Sequence, residues 1–558
     1  MPPMADESER AVASLDAGWA ALADGQWGVA RARFEEALAS GETPEACEGL
    51  SWAAWWLDAA ASVFEWRERA YRLYRARGDA AGAARMATWL AADQLDFNGA
   101  VTVAGGWLRR ARRLLEPLEA GPDHGWLAFH EGYLAHAGGD TAGALERAAF
   151  AADIGRRSGV VDLEMLGLAL EGAALVASAQ VDEGMRCLDE ATATALEGGA
   201  TIPISSAWAC CFLVSACSAV LDFERAGEWC DRIAEFAERH GSRYMLAFCR
   251  AEYGAVHLWH GRWPEAEEQL TGAVDDFSRS RPAWVGSPLL GLAELRRRQG
   301  RQEEAEAYLE RAGASVAVEI GRARLALDRG EARRATELLE RVLRRIPAHR
   351  SLDRFPVLDL LVRSRIACDE LDEARSRLAE LRALQRVVGT APLRAFVDLA
   401  EGMLAAARLE HDRALPLLED AVDGFRASGA PFEVARSRIE LASCLVALGR
   451  ADAAEREAVT ALESLLLLGA HAEAERARRV VDATPTGSLA VHGVTARERE
   501  VLGLVADGLT NRQIAEQLVV SEHTIHRHVS NVMRKLGARS RTAAATQAVR
   551  EGLLERRD

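Results

Sequence analysis

The sequence predicts an all-α fold, in which a long array of helical hairpins is followed by a small helical domain. Three observations predict it. Hydrophobic residues make up 49% of the 558 residues, while aromatics are only 6% and proline numbers 15, a composition that suits stacked amphipathic helices better than a large sheet. A spaced pattern of turn, small and apolar residues recurs along residues 8–481, and residues 495–555 carry two capping boxes and a basic helical stripe. A chain of this length exceeds what one compact core holds, so an elongated array is the natural solution.

The repeating unit is a turn residue, a small residue five on, an apolar residue nine on and an apolar or small residue twelve on. Gly25, Ala30, Phe34 and Ala37 form its first clear copy, and Gly261, Ala266, Leu270 and Ala273 repeat it. Further copies start at Gly99, Gly139, Leu221, Gly300, Gly330, Asp369, Leu409 and Gly449, mostly about 40 residues apart, the period of helix-hairpin solenoids. A weaker copy begins near Ala179, and one near Leu57 lacks the small residue. Small residues at five and twelve let the second helix of a hairpin approach the first, and the residue at nine fills the seam between hairpins. One hairpin cannot bury its apolar face alone, so the copies are expected to stack into one curved, right-handed array. The phrases around Gly25-Gln26-Trp27 and Gly261 to Ala266 resemble tetratricopeptide repeats, although the unit here is longer.

Pro485 and Gly487 interrupt the pattern, which places a linker over 482–494. Thr495 to Glu498 is a capping box opening a helix with Val501, Leu502 and Val505 on its apolar face, and Gly508 ends that helix. Thr510 to Gln513 is a second capping box, opening a helix with Ile514, Ala515 and Leu518. Val519, Val520 and Ser521 are expected to turn the chain into a third helix capped by Ser521. In that helix Ile525, Val529, Val532 and Leu536 form an apolar stripe, while His523, Arg527, Ser530 and Arg534, flanked by His526 and Asn531, form a polar and basic one. Two short helices joined by a tight turn, the second presenting such a stripe, suit insertion into a DNA major groove.

These residues resemble the LuxR-type helix-turn-helix family. The resemblance rests on Thr495 to Leu502, Gly508 to Ala515, and Ser521 to Leu536 followed by Gly537 to Arg541. It implies a four-helix domain that binds double-stranded DNA as a homodimer, with a last helix over Thr542–Glu551 supplying the dimer contact. By position it places base reading on His526, Arg527 and Ser530, to which the stripe adds His523, Asn531 and Arg534. Phosphate contacts fall on Thr510, Asn511 and Arg512, and on Lys535 and Arg541. With the repeats, the whole resembles the large ATP-binding LuxR-type regulators without their NTPase domain. Its solenoid is then expected to sense a small molecule or protein, or alternatively to act as an interaction scaffold.

Charge agrees with that division. The chain carries a formal charge of -16. From Ala490 to Asp558, however, 11 Lys or Arg face 8 Asp or Glu, whereas the preceding residues hold 57 against 76. A locally basic module on an acidic body can still bind phosphate, because those contacts depend on local charge.

Other functions are disfavoured by what the chain lacks. Lys535 is its sole lysine, and there is neither a phosphate-binding G-x-x-x-x-G-K-[ST] loop nor the lysine of a receiver domain. No nucleophile elbow or zinc motif occurs, so no enzyme activity and no cofactor are expected. Nine scattered cysteines without a C-x-x-C pair, and an acidic start over Met1–Arg10, point to the cytoplasm. Ile202–Leu221 is uncharged and long enough to span a bilayer, but Pro203, its serines and its cysteines suit a helix buried between neighbours, so no membrane is expected. Cys210, Cys211 and Cys217 read as buried thiols. His523, His526 and His528 do not converge on one point of a helix, and His257 with His260 lacks a third ligand, so neither group reads as a metal site. The tryptophans concentrated before Trp284 serve either interhelical packing or a ligand groove.

Overall fold

The computed structural model describes residues 4–197, 203–240, 243–484, 496–518, 522–538, 540–550 and 554. Among them every regular element is helical. Helices from Met4–Ala23 to Ala451–Leu468 pair into twelve successive hairpins, and His471–Ala483 follows as a last helix. Each helix packs on the next.

The hairpin turns explain the repeat. At all twelve the turn residue has positive φ, from Gly25 at 73° and Gly261 at 76° to Asp369 at 62° and Leu409 at 63°. The next residue's N–H then reaches back to close the preceding helix, as Gln26 does to the Ala21 carbonyl at 2.8 Å and Arg262 to His257 at 2.9 Å, the double closure of a Schellman turn. Five to twelve residues on, the expected positions are buried, among them Ala30, Phe34 and Ala37, and Ala414, Leu418 and Ala421. Ala312 is the exception, only half-buried.

A further periodic position escaped the sequence reading. Seven residues before the turn, Gly18, Gly254 and Gly402 face the residue that fills the seam. A Cβ at Gly18 would lie 2.6 Å from the Phe34 ring, and one at Gly254 2.4 Å from Leu270 Cγ. Glycine at this spacing lets the first helix of these hairpins close onto the second.

Five turns place a side chain in left-handed backbone, which costs a non-glycine residue roughly 1–2 kcal/mol. Leu409 is 79% exposed, so its side chain contributes little burial in exchange. Leu409→Gly is expected to raise stability by about 0.5–1 kcal/mol after the entropy of the freer unfolded glycine is subtracted. A higher urea midpoint at unchanged m value is the check.

The copy expected near Leu57 turns instead at Asp58, with φ 56°. Its seam residue is Arg67, with Val63 and Ala70 at the small positions, and all three are fully buried. A guanidinium in a position that is apolar elsewhere hid this copy from the pattern.

The array is also not one-dimensional, because hairpins far apart in sequence touch through their turns. Trp259 Nε1 donates to the Ser428 carbonyl at 2.7 Å, and Thr390 Oγ1 to Val220 at 3.2 Å. Arg281 Nη1 donates to Asp58 Oδ1 at 2.9 Å, and Arg350 Nη1 to the Ala137 carbonyl at 3.2 Å. These partners lie 169, 170, 223 and 213 residues apart, which is about four to six repeat units of the usual length. The solenoid therefore coils tightly enough for successive superhelical turns to meet.

The tryptophans mostly pack helix on helix. Trp27 stacks on Trp56 with centroids 4.4 Å apart, and Trp52 meets Trp89 edge-on at 4.6 Å. Cys210 and Cys217 are buried and free, and burial pushes both thiols up.

Candidate nucleic-acid interface

The C-terminal residues build a separate core from four helices, Ala496–Ala506, Asn511–Leu518, Glu522–Lys535 and Arg541–Arg550. Val501, Leu502, Ile514, Ile525, Val532 and Leu536 are buried together there, as the apolar spacing requires. Ala544, Ala545 and Ala548 join them from the last helix, which starts at Arg541, one residue earlier than expected.

Caps fix where these helices begin and end. Thr510 N–H donates to Gln513 Oε1 at 2.9 Å, and Gln513 N–H to Thr510 Oγ1 at 3.3 Å, so the second capping box forms reciprocally. Gly508 and Gly537 adopt φ of 84° and 63°. At the latter, Ala538 N–H bonds Met533 at 2.9 Å to close the long helix. Thr495 and the turn at Val519 to Ser521 lie outside the described residues.

On the helix Glu522–Lys535 the side opposite the buried stripe is open to solvent. His526, Ser530 and Arg534 are exposed, and Asn531 is half-buried with its Oδ1 accepting from Arg534 Nη2 at 3.0 Å. His523 and Arg527 belong to the same helix, but their side chains lie outside the described residues.

The expected phosphate contacts divide into two groups. Thr510 and Arg512 stand exposed at the start of the helix Asn511–Leu518, where free backbone N–H groups and the helix dipole favour an anion. Arg512 also pairs with Glu516 at 3.2 Å on the same face. Asn511, Lys535 and Arg541 are held from within. Arg541 Nη1 donates to Asn511 Oδ1 at 3.3 Å and its Nη2 to the Leu509 carbonyl, tying the last helix to the start of the second. Lys535 Nζ lies 2.6 Å from Glu498 Oε2, a buried carboxylate at the start of the first helix. The sequence held no local signal for that pair, because its members lie 37 residues apart.

Residues 492–548 match the family described as bacterial regulatory proteins, luxR family. The spore germination protein GerE of Bacillus subtilis (strain 168) is 44% identical over 62 residues, which are 11% of this chain and 84% of GerE. The chain belongs to the LuxR family of bacterial regulatory proteins. The transcriptional regulatory protein DegU of Brevibacillus brevis is also 44% identical over 62 residues, but the match covers only 26% of DegU and 11% of this LuxR-family chain. A solved Rap protein complexed with competence and sporulation factor superposes on 68% of this chain and 99% of its own at TM-score 0.44 and 13% identity, a loose likeness of architecture. Among the described residues of this LuxR-family chain, no helix is long and apolar enough to cross a membrane, and no group of three His, Cys, Asp or Glu is placed to hold a metal.

Proposed function

We propose that this protein is a sequence-specific DNA-binding transcription regulator whose helical-repeat region senses a ligand or a partner protein. The observation that carries the reading is the exposed stripe of His526, Ser530 and Arg534 on the second helix of a LuxR-family helix pair. That helix enters the major groove, and His526, Arg527 and Ser530 read base edges, with His523, Asn531 and Arg534 beside them. Thr510, Asn511 and Arg512 clamp one phosphate at the helix start. Lys535 and Arg541 add charge from positions their internal partners fix. Two copies bind together, with the exposed Thr542, Ala543 and Thr546 of the last helix forming the contact between them. The protein works in the cytoplasm, where its cysteines stay reduced.

The test is binding of the full chain to DNA upstream of its own gene and to a scrambled duplex, at two salt concentrations. Arg527→Ala is expected to weaken operator binding about 5- to 150-fold, the equivalent of 1–3 kcal/mol for a bidentate guanine contact, and to leave scrambled DNA nearly unaffected. Arg512→Ala is expected to weaken both and to lower the slope of log affinity against log salt by about 0.9. Equal, salt-sensitive binding of every duplex by the unaltered chain would overturn operator reading and leave an interaction scaffold.

A further inference from the structure

Four first-of-hairpin helices, Ala80–Asn98, Pro122–Gly138, Pro203–Val220 and Arg243–Trp259, converge with the short turn Pro282–Trp284 around a cavity of about 240 Å³. Its walls are aromatic. Phe129 and Trp208 stack with centroids 5.6 Å apart, Tyr133 and Phe212 meet edge-on at 5.9 Å, and Tyr244 and Trp284 at 6.4 Å.

Among the polar groups of this lining, which also include His136, Ser215 and the Tyr133 and Tyr244 hydroxyls, Asp96 and His130 are left unmatched. Asp96 is 6% exposed, and its Oδ2 is buried without a hydrogen-bond partner; His130 is 3% exposed, with Nε2 in the same condition. The nearby guanidiniums of Arg67 and Arg281 face other carboxylates, although Arg67 Nη1 and Nη2 and Arg281 Nε and Nη2 are buried without hydrogen-bond partners. Arg67 Nε lies 2.9 Å from Asp93, and Arg281 Nη1 lies 2.9 Å from Asp58. Cavities that stay empty are apolar, so a space lined by polar atoms takes up water or a ligand, and an unpaired buried carboxyl is costly in a merely structural position. An aromatic enclosure around one unmatched acid is instead the arrangement that recognises an organic cation.

We propose that this cavity binds a small arylalkylamine, its ring held between Trp208, Phe129 and Tyr244 and its protonated nitrogen against Asp96. Size agrees, since a cavity of about 150 Å³ accommodates benzene, and the space here takes a bicyclic ring with a short amine arm. Ser215, exposed at the rim, marks the entrance. The binding stands independently of DNA, whereas its consequence for the operator rests on the function proposed above.

The experiment is calorimetric titration of the full-length protein at pH 8 with phenethylamine, tryptamine and indole-3-acetate, the last matching tryptamine in ring but opposite in charge. Tryptamine is expected to bind saturably and at least about tenfold tighter than indole-3-acetate, a factor that corresponds to about 1.4 kcal/mol. Asp96→Asn is expected to remove that preference. Ser215→Phe, at the exposed rim, is expected to weaken tryptamine at least about tenfold by closing the entrance, a loss of the same 1.4 kcal/mol. Failure of both amines to saturate, equal binding of the acid, or unchanged tryptamine binding in a folded Asp96→Asn or Ser215→Phe protein overturns the proposal. Operator binding measured with and without tryptamine separates the two readings. Amine binding that leaves DNA affinity unchanged keeps the cavity assignment and removes the sensor, whereas intact operator binding without amine binding does the reverse.

Discussion

Arg67→Ala is expected to lower the free energy of unfolding by about 3–5 kcal/mol, the usual cost of stranding one member of a buried ion pair. Arg67 has no solvent exposure, Asp93 opposes it at 2.9 Å, and its guanidinium lies 4.4 Å from the Trp52 ring centroid and 5.4 Å from that of Trp89. Burial pushes both partners toward neutrality, Arg67 downward and Asp93 up to about 6. The loss in Arg67→Ala should therefore be larger at pH 8, where a lone Asp93 resists protonation, than at pH 5. Arg67→Leu with Asp93→Leu is expected to recover to within about 1 kcal/mol of wild type or to exceed it, because two well-packed apolar residues replace a desolvated pair. Leucine already fills the seam at Leu108, Leu188, Leu270, Leu309, Leu339, Leu378 and Leu418. Urea denaturation of the single and double variants decides. A stable Arg67→Ala protein would show that the pair holds nothing together.

If leucine serves as well at this position, stability does not explain the ion pair, but its location does. Trp89, on which Arg67 rests, lies 6.0 Å from Trp208 in the cavity wall. Arg281, whose guanidinium sits 3.9 Å from the Phe97 ring centroid and 5.3 Å from that of Tyr244 in the cavity wall, joins the first hairpins to the middle of the chain. Arg67, Asp93, Asp96 and Arg281 are thus buried close enough to influence one another beside this cavity. A second polar space lies further along the solenoid, where Arg363, Arg436 and Glu433 line a void of about 980 Å³, with Arg363 facing Asp359 at 3.1 Å and Arg436 facing Glu433 at 2.9 Å.

The C-terminal domain was legible because its signals are local: one capping box, the helix ends at Gly508 and Gly537, and the spacing of Ile525, Val532 and Leu536 all lie within a few residues of what they determine. The solenoid was legible to the extent that close helix approach demands small residues at fixed intervals. Arg67 broke that rule, so its hairpin was misplaced by one residue. Superhelical closure was not legible, because its acceptors include the backbone carbonyls of Val220 and Ser428, which any sequence supplies. Nor was the cavity, whose residues are drawn from five segments and meet only once the array has coiled. His130 carried one hint, as an ionisable residue at the position where the neighbouring hairpins place Leu90 and Leu170.

Asp96→Asn is expected to be more stable than wild type at pH 8 by a few kcal/mol, and to lose that advantage as pH falls toward 4. Burial raises the Asp96 carboxyl from 3.8 to about 7, with Arg281 and Arg67 acting against the rise and Asp93 adding to it; His130, Tyr133, His136, Tyr244 and Cys211 face the same space. A carboxyl whose folded value exceeds its unfolded one contributes stability that is complete below the unfolded value and is lost as pH climbs through the folded value. Wild type therefore weakens between about pH 4 and 7 through this group, and asparagine, which does not ionise, is spared. The cavity histidines act in the opposite direction. Burial depresses His130 to about 3 and His136 to about 4, so their contribution is complete above the usual histidine range near 6.5 and disappears in acid. They are common to both proteins, and the difference between variant and wild type isolates Asp96. Unfolding midpoints measured at pH 5, 6, 7 and 8 should diverge steadily with rising pH; parallel curves would mean that Asp96 is solvated or paired. A bound ammonium group would hold the carboxylate ionised and repay its desolvation, so saturating tryptamine is expected to remove most of the divergence.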